Sequence, residues 1–435
     1  MGRTSRKWHR KKILTITDIA ENEEDSLMHL KFYLTKNCSS VDNLDPFNFL
    51  TTGRGLKTSK DINVNDILIK IPYEILITTS IISESSVRNL FSKSTHYSPQ
   101  CLLSVFVAYE SHLRNASKWY HYINSLPQVL TNTDFCTRRE KNLLPSFIMD
   151  YVFEFHKVQN DYQLLIRSIN SLSLCSQICS HCNLHFNKII TFEKYKWAYY
   201  IVNTRAVYVD AVHIDNDQNI SVNIKSPNNL ALAPFLDLFN HDIYCTTQAA
   251  VISDKNGCKF YQIATSKPFH SGSQVFINYG AHNSLKLYTD YGFFIPNNPL
   301  DEIYFDISDI EACFSVPQIK SDFIISNYLY KNMAFTRGGL NYNAISALFV
   351  INTKLHSKDQ WSSKIYGGSL TSEDIANIHV IAKGMINLKK EKFIDNLTNM
   401  KTIRHCTQSY RIAIGLVEEY ITILTAAYNS CCIFG

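Results

Sequence analysis

Residues 230–242 read Leu230-Ala231-Leu232-Ala233-Pro234-Phe235-Leu236-Asp237-Leu238-Phe239-Asn240-His241-Asp242. An apolar run that closes on Asn-His must bury polar side chains at its end, and buried amides and imidazoles need specific hydrogen-bond partners. Taken alone, the stretch fits a satisfied core network as well as it fits a ligand site. The sequence on either side decides how it is used. Upstream lies Val202-Asn203-Thr204-Arg205-Ala206-Val207-Tyr208, at the end of a helical periodicity that starts near residue 187. Downstream, Gln248–Ser253 and Lys259–Thr265 flank Asp254-Lys255-Asn256-Gly257, a strong hairpin signal. After the Ser271-Gly272 turn, Gln274-Val275-Phe276-Ile277-Asn278-Tyr279 alternates as a strand, with Val275, Ile277 and Tyr279 on one face.

Working outward, the pattern is β, helix, β, helix. Phe47 to Ile77 is extended, with a turn at Thr52-Gly53-Arg54-Gly55-Leu56 and a strand at Asp66–Pro72 closed by proline. Gly53-Arg54-Gly55 lets backbone approach a ligand, or simply turns the chain; it lacks the helix and downstream acid of a dinucleotide fingerprint. Ser98 and Pro99 open a helix carrying Leu102, Val105, Phe106, Tyr109 and Leu113. Helical periodicity also runs through about 145–170. In the last third, Ile414, Val417, Ile421, Leu424 and Tyr428 mark one apolar stripe. There is no internal repeat and no low-complexity linker.

Composition sets the class. The chain has 435 residues, 45% of them apolar and 19% charged, with 25 Tyr and 25 Phe. That is a folded, multi-unit protein rather than a disordered one. Six of the 43 basic residues, Arg3, Arg6, Lys7, Arg10, Lys11 and Lys12, stand in the first dozen positions, leaving 37 against 38 acidic ones. The body is therefore near neutral, and the basic end suits nuclear import or a nonspecific polyanion contact, or is simply a solvated end. No stable nucleic-acid binding is expected beyond that end. No apolar segment is long enough to span a bilayer, so no membrane association is expected.

Scattered cysteines point to reduced thiols. Cys175, Cys179, His181, Cys182 and His185 form one cluster of metal-ligand types, but no second ligand pair follows at a standard spacing, so the expectation is that no metal is bound.

Together and in order, the segments around Thr52–Leu56, Val202–Tyr208, Leu230–His241 and Gln274–Phe293 resemble the SET methyltransferases, in the subclass that includes the Rubisco large-subunit methyltransferase. The resemblance runs from about residue 46 to 300; beyond it, only helical character and position match. It implies an α+β chain: a SET β-fold of small sheets, split by a helical insert at about 85–210 and followed by an all-helical C-terminal domain over 301–435; residues 1–45 read, from their own pattern, as a basic tail and a short helix around Leu27, Leu30 and Leu34. It also implies S-adenosyl-L-methionine as cofactor and transfer of a methyl group to a lysine of a protein substrate, either a histone tail or a non-histone protein. Histidine methylation, and a non-catalytic SET-fold binding module, are the alternatives. A monomer shared between nucleus and cytoplasm is expected.

Carried over position by position, the resemblance puts Thr52, Gly53 and Arg54 at the cofactor's methionine end and Arg205 near its carboxylate. Asp237, Asn240 and His241 complete the cofactor pocket. Tyr279 is the catalytic tyrosine, while Tyr291 and Phe293 line the cofactor and lysine channel. Asp242 stands where the family usually has Ser, and Val251 where it often has an aromatic facing the substrate nitrogen, which implies a wider substrate channel at Val251.

Overall fold

The structure is a computed structural model, and it describes residues 16–37, 39–150, 154–214, 222–368 and 370–433. The basic stretch from Arg3 to Lys12 lies outside them. The chain divides into two compact units: residues 1–129 with 156–280, and residues 130–155 with 281–435. Thus most of the expected 46–300 region falls in the first unit, whereas 130–155 and 281–300 group with the C-terminal helices.

Two small sheets organise the first unit. One has the order Leu44–Phe49, Gly53–Thr58, Gln274–Ile277, Asn240–His241. Its first pair is a hairpin in which Phe49 faces Gly53 across a three-residue loop. Gly53 sits at φ 69°, a conformation that glycine adopts without strain. Gln274–Ile277 runs antiparallel to Gly53–Thr58 and parallel to Asn240–His241, pairing Phe276 with Asn240 and Ile277 with His241. The other sheet has the order Ile67–Pro72, Lys259–Thr265, Thr247–Ser253. Its hairpin turns at Gly257, φ 81°, where the Asp254 carboxylate accepts from the N–H groups of Asn256 (2.8 Å) and Cys258 (2.9 Å).

Between these strands the chain inserts helices. Pro99–Leu113 starts as its sequence requires, the Ser98 hydroxyl accepting from Cys101 N–H and Pro99 occupying the first turn. It packs along Phe192–Arg205, whose cap is Thr191. Helical character ends at Arg205: β-branched Val207 and its neighbours instead pair as a strand, Ala206–Tyr208, with Leu230–Leu232. The strand from Gln274 likewise stops at Ile277, two residues earlier than alternation predicts. There Asn278 accepts from Gly280 N–H (2.7 Å) and donates to the Ile243 carbonyl (3.1 Å), which bends the backbone out of the ladder at Tyr279.

The second unit is mainly helical, with long helices Ser372–Met400 and Gln408–Ile433 packed on each other. It also holds a small sheet, Ile303–Tyr304, Ala334–Thr336 and Gly339–Leu340, where an all-helical domain was expected; the Arg337-Gly338 turn closes its hairpin. The buried face of Gln408–Ile433 comprises Ala413, Leu416, Val417, Tyr420, Ile423, Leu424 and Ala427. That is the predicted stripe rotated by about one position, since Ile414, Ile421 and Tyr428 are only half-buried. No described helix is long and apolar enough to cross a membrane.

Candidate active site

The four-stranded sheet brings together Thr52, Gly53, Arg54, Asn240 and His241, and Tyr279 follows directly from its third strand. The Asn240 amide donates to the Arg54 carbonyl (2.9 Å) and the Thr52 carbonyl (3.4 Å), so it pins the turn that precedes Gly55. Gly55 is what makes this approach possible. A Cβ there would stand 2.7 Å from Gln274 Nε2, 2.8 Å from Asn240 Nδ2 and 3.2 Å from the Phe49 ring. Thr52 donates its hydroxyl to Gln274 Oε1 (2.9 Å), which ties the same turn to the strand Gln274–Ile277.

Tyr279 is fixed at both ends. Its backbone N–H donates to His241 Nδ1 (3.1 Å), and its phenol donates to the Phe239 carbonyl (2.5 Å). Because Nδ1 accepts, a neutral His241 carries its proton on Nε2. The two rings stack with centroids 5.1 Å apart and planes 25° apart. Two residues separated by 38 positions thus behave as one aromatic plate, with His241 buried and Tyr279 half-buried.

Beside this plate lies a buried ion pair. Arg205, in the last turn of its helix, donates through Nη1 to both the carboxylate and the carbonyl of Asp237, each at 3.0 Å. The Tyr122 hydroxyl donates to the same carboxylate oxygen (3.1 Å). Burial works against the Arg205 charge, but Asp237 beside it more than offsets that and raises the guanidinium above its ordinary value. Asp237 belongs to a single 3₁₀ turn, Leu236–Leu238, entered through Phe235 at φ 73°. A bulky aromatic held in the left-handed region is strained, and such strain collects where a loop must be aimed. Here it aims Asp237 at Arg205 three residues before Asn240.

Arg54 is held by the Ser125 carbonyl, which accepts from Nη1 at 3.0 Å. Asp242, directly after His241, pairs with Lys267 (3.0 Å) and accepts from the N–H of Tyr244 (2.9 Å). Burial favours protonation of Asp242, but these partners and the Cys245 thiol outweigh it and hold the carboxyl below its usual range.

Three further expected residues lie on other elements. Val251 lies half-buried on the edge strand of the other sheet, opposite Tyr261. Tyr291 and Phe293 belong to the second unit, where their rings meet edge-on at 6.3 Å. Tyr291 ends a π-helical turn, Leu287–Tyr291, closed by Gly292 at φ 82°. Asn132 donates to the Thr289 carbonyl (3.1 Å) and the Asp290 carbonyl (2.5 Å) of that turn, and Thr131 donates to the Gly292 carbonyl (2.7 Å). Burial, then Asp290, raises the Tyr291 phenol above its ordinary value. Sequence reasoning missed Gln274, Tyr122 and the Phe239 carbonyl. Gln274 alone left a signal, a polar residue opening an otherwise apolar strand.

Comparison with known proteins identifies the family. The SET domain profile matches residues 53–280, slightly more than half of the chain. The chain belongs to the SET-domain family. SET domain-containing protein 4 of Artemia parthenogenetica is 28% identical over 91% of this chain and 94% of its own length. Human actin-histidine N-methyltransferase is 26% identical over 64% of this chain and 44% of its own length. Among solved structures, the SET domain of LSMT bound to lysine and AdoHcy superposes with a TM-score of 0.58 at 19% identity, covering 94% of this chain and 91% of that one. This likeness extends the shared fold beyond the SET region into the C-terminal helices.

Proposed function

We propose that this SET-domain chain is an S-adenosylmethionine-dependent protein N-methyltransferase whose target is a lysine side chain. The observation that carries the reading is the anchoring of Tyr279. With its O–H proton donated to the Phe239 carbonyl, the phenol is held in one orientation, and a phenol oxygen can accept from an amine N–H and so aim the nitrogen lone pair. A phenol so placed orients rather than deprotonates, and its ordinary pKa of about 10 makes it a poor base at neutral pH.

The residues around Tyr279 fit the cofactor. Gly55 leaves room for the Asn240 and Gln274 amides over the turn at Thr52–Arg54, and two buried donors, Gln274 Nε2 and Arg205 Nε, have no hydrogen-bond partner among the described residues. Such donors suit a ligand rich in carboxylate and hydroxyl oxygens. When bound, S-adenosylmethionine supplies an activated methyl group on a sulfonium. Asn240 and Thr52 would hold the turn against it, and Asp237 would keep Arg205 aimed and charged. A lysine of pKa about 10.4 is neutral in only about one part in a few thousand at pH 7, so the site must favour loss of its proton, and burial in an apolar passage does so. The channel roles that the resemblance gives Val251, Tyr291 and Phe293, and a nuclear and cytoplasmic distribution, belong to this proposal.

Histidine is the second reading. It is favoured by the similarity to actin-histidine N-methyltransferases over 64% of the chain, and by Val251 in place of an aromatic. Radiolabelled methyl transfer to fractionated cell extract, with mass spectrometry of the modified residue, separates lysine from histidine. Tyr279→Phe is expected to keep S-adenosylhomocysteine affinity within about twofold while losing most turnover, as removal of one aligned transition-state contact should. Unchanged turnover in Tyr279→Phe refutes the role given to that residue. Methyl transfer absent from the wild-type chain on every fraction refutes the activity.

A further inference from the structure

In the helical insert of the first unit, three ligand atoms from two distant segments meet. Cys179 and Cys182 lie in a tight turn between Ile178 and His185, which bridge each other as strand partners. Cys179 N–H donates to the Leu184 carbonyl and Asn183 N–H to the Cys179 carbonyl, both at 2.9 Å, with Asn183 at φ 58°. This winding aims the backbone N–H groups of His181 and Cys182 at the Cys179 sulfur.

The third donor comes from the last turn of Pro99–Leu113. His112 Nε2 lies 3.1 Å from Cys182 Sγ, across 70 positions of sequence. His112, Cys179 and Cys182 all place their ligand atoms within 4.8 Å of one another. A tetrahedral zinc with Zn–S of about 2.3 Å and Zn–N of about 2.0 Å asks for ligand separations of about 3.5–3.8 Å. The triangle therefore needs only small side-chain adjustments. Cys179 is fully buried, and the Tyr109 hydroxyl approaches its sulfur at 3.6 Å.

A redox pair is the other use of Cys-x-x-Cys, but it has no need of an imidazole converging on the same point, whereas a metal does. We propose that His112, Cys179 and Cys182 bind a zinc ion that ties the 178–185 turn to the helix Pro99–Leu113. The fourth position falls to water or to the exposed His181 of the same turn. The expectation of no metal rested on a missing ligand, and His112 supplies it from another helix. The site owes nothing to the methyltransferase reading, and its test does not use activity.

The full chain, purified without chelators, is assayed for metal by mass spectrometry and is expected to hold about one zinc per chain. The double variant C179S/C182S should fall below about a tenth of that, while C432S, a change at an exposed cysteine, should not change it. Because loss of both thiols can prevent folding, chelator-stripped wild-type chain is also titrated with cobalt. A thiolate-to-cobalt charge-transfer band should saturate at one equivalent, and H112A should weaken cobalt binding by at least about tenfold. Wild-type chain that holds neither zinc nor cobalt, a band that survives in C179S/C182S, or a Cys179–Cys182 disulfide in chain purified with its thiols blocked would each overturn the proposal.

Discussion

Removing Asp237 should cost more stability than removing any other single side chain of the candidate active site. The carboxylate is 2% exposed and its partner Arg205 is 16% exposed, with the charged atoms 3.0 Å apart. At an effective dielectric near 20, charges about 3–4 Å apart attract by about 4–6 kcal/mol. Part of that is offset by desolvation in the intact pair, but Asp237→Ala leaves the Arg205 charge buried without its counter-ion, and breaking such a pair typically costs about 3–5 kcal/mol. Tyr122 also loses its acceptor. The expected loss of about 3–5 kcal/mol corresponds to a melting temperature lower by about 6–20 °C, at about 2–4 °C per kcal/mol for a unit of this size. Urea titration with a double-mutant cycle is the assay. Asp237→Asn, which keeps an acceptor but not the charge, should fall between wild type and alanine. Adding Arg205→Met to Asp237→Ala should restore stability by at least about 2 kcal/mol through coupling. A loss under about 1 kcal/mol, or strict additivity in the cycle, would show that the pair does not hold the Leu236–Leu238 turn as argued.

Three further outcomes are expected. Gly55→Ala places a Cβ 2.7 Å and 2.8 Å from two amides, and should cost about 1–3 kcal/mol of stability, read from the urea midpoint, with S-adenosylhomocysteine affinity falling at least about tenfold by calorimetry. Gly292→Ala combines φ 82° with a Cβ 2.5 Å from the Thr131 hydroxyl and 2.9 Å from Asn132 N, so it should cost at least about 2 kcal/mol and open the 131–132 and 287–293 segments to proteolysis. Glu140 is buried and accepts from the N–H groups of Thr137 and Thr407, both at 2.6 Å; burial opposes its charge, but these donors hold its pKa below the ordinary 4.5. Its contribution is therefore complete above pH 4.5 and lost as pH falls through the depressed value. Glu140→Gln should be less stable than wild type by about 2 kcal/mol at pH 7 and converge on it at acid pH, and a gap that stays constant down to pH about 3 would contradict this.

Much of the fold was legible because local chemistry and tertiary structure agree. Ser98-Pro99 begins a helix, Asp254 to Gly257 turns a hairpin, and the alternation from Gln274 makes a strand, each for a reason contained in a few residues. The exceptions have non-local causes. Ala206–Tyr208 leaves the helical periodicity because Leu230–Leu232 is there to pair with it. The buried face of Gln408–Ile433 turns by one position because its true partners include alanines, which a stripe drawn through large apolar residues passes over. The short sheet around Gly339 is too brief for any pattern to register.

The site shows the same division more sharply. Asn240 and His241 could be noticed from the residues, since an amide and an imidazole at the end of an apolar run must be satisfied by something, whereas Tyr279 was marked only by the family resemblance. What satisfies them could not be read, because the partners are largely carbonyls: Arg54 and Thr52 for Asn240, Phe239 for Tyr279, Asp237 for Arg205. Every residue carries a carbonyl, so sequence holds no mark of which one will be used. The reverse holds for His112, whose side chain is distinctive but whose two partners lie 67 and 70 positions downstream on another element. Spacing rules find ligands that are close in sequence, whereas a helix packed against a turn brings together ligands that no spacing rule connects. It follows that substitutions at Phe239 and Ser125, which contribute only backbone to these contacts, should be tolerated for function wherever their burial is preserved, while the side chains that reach those carbonyls should not.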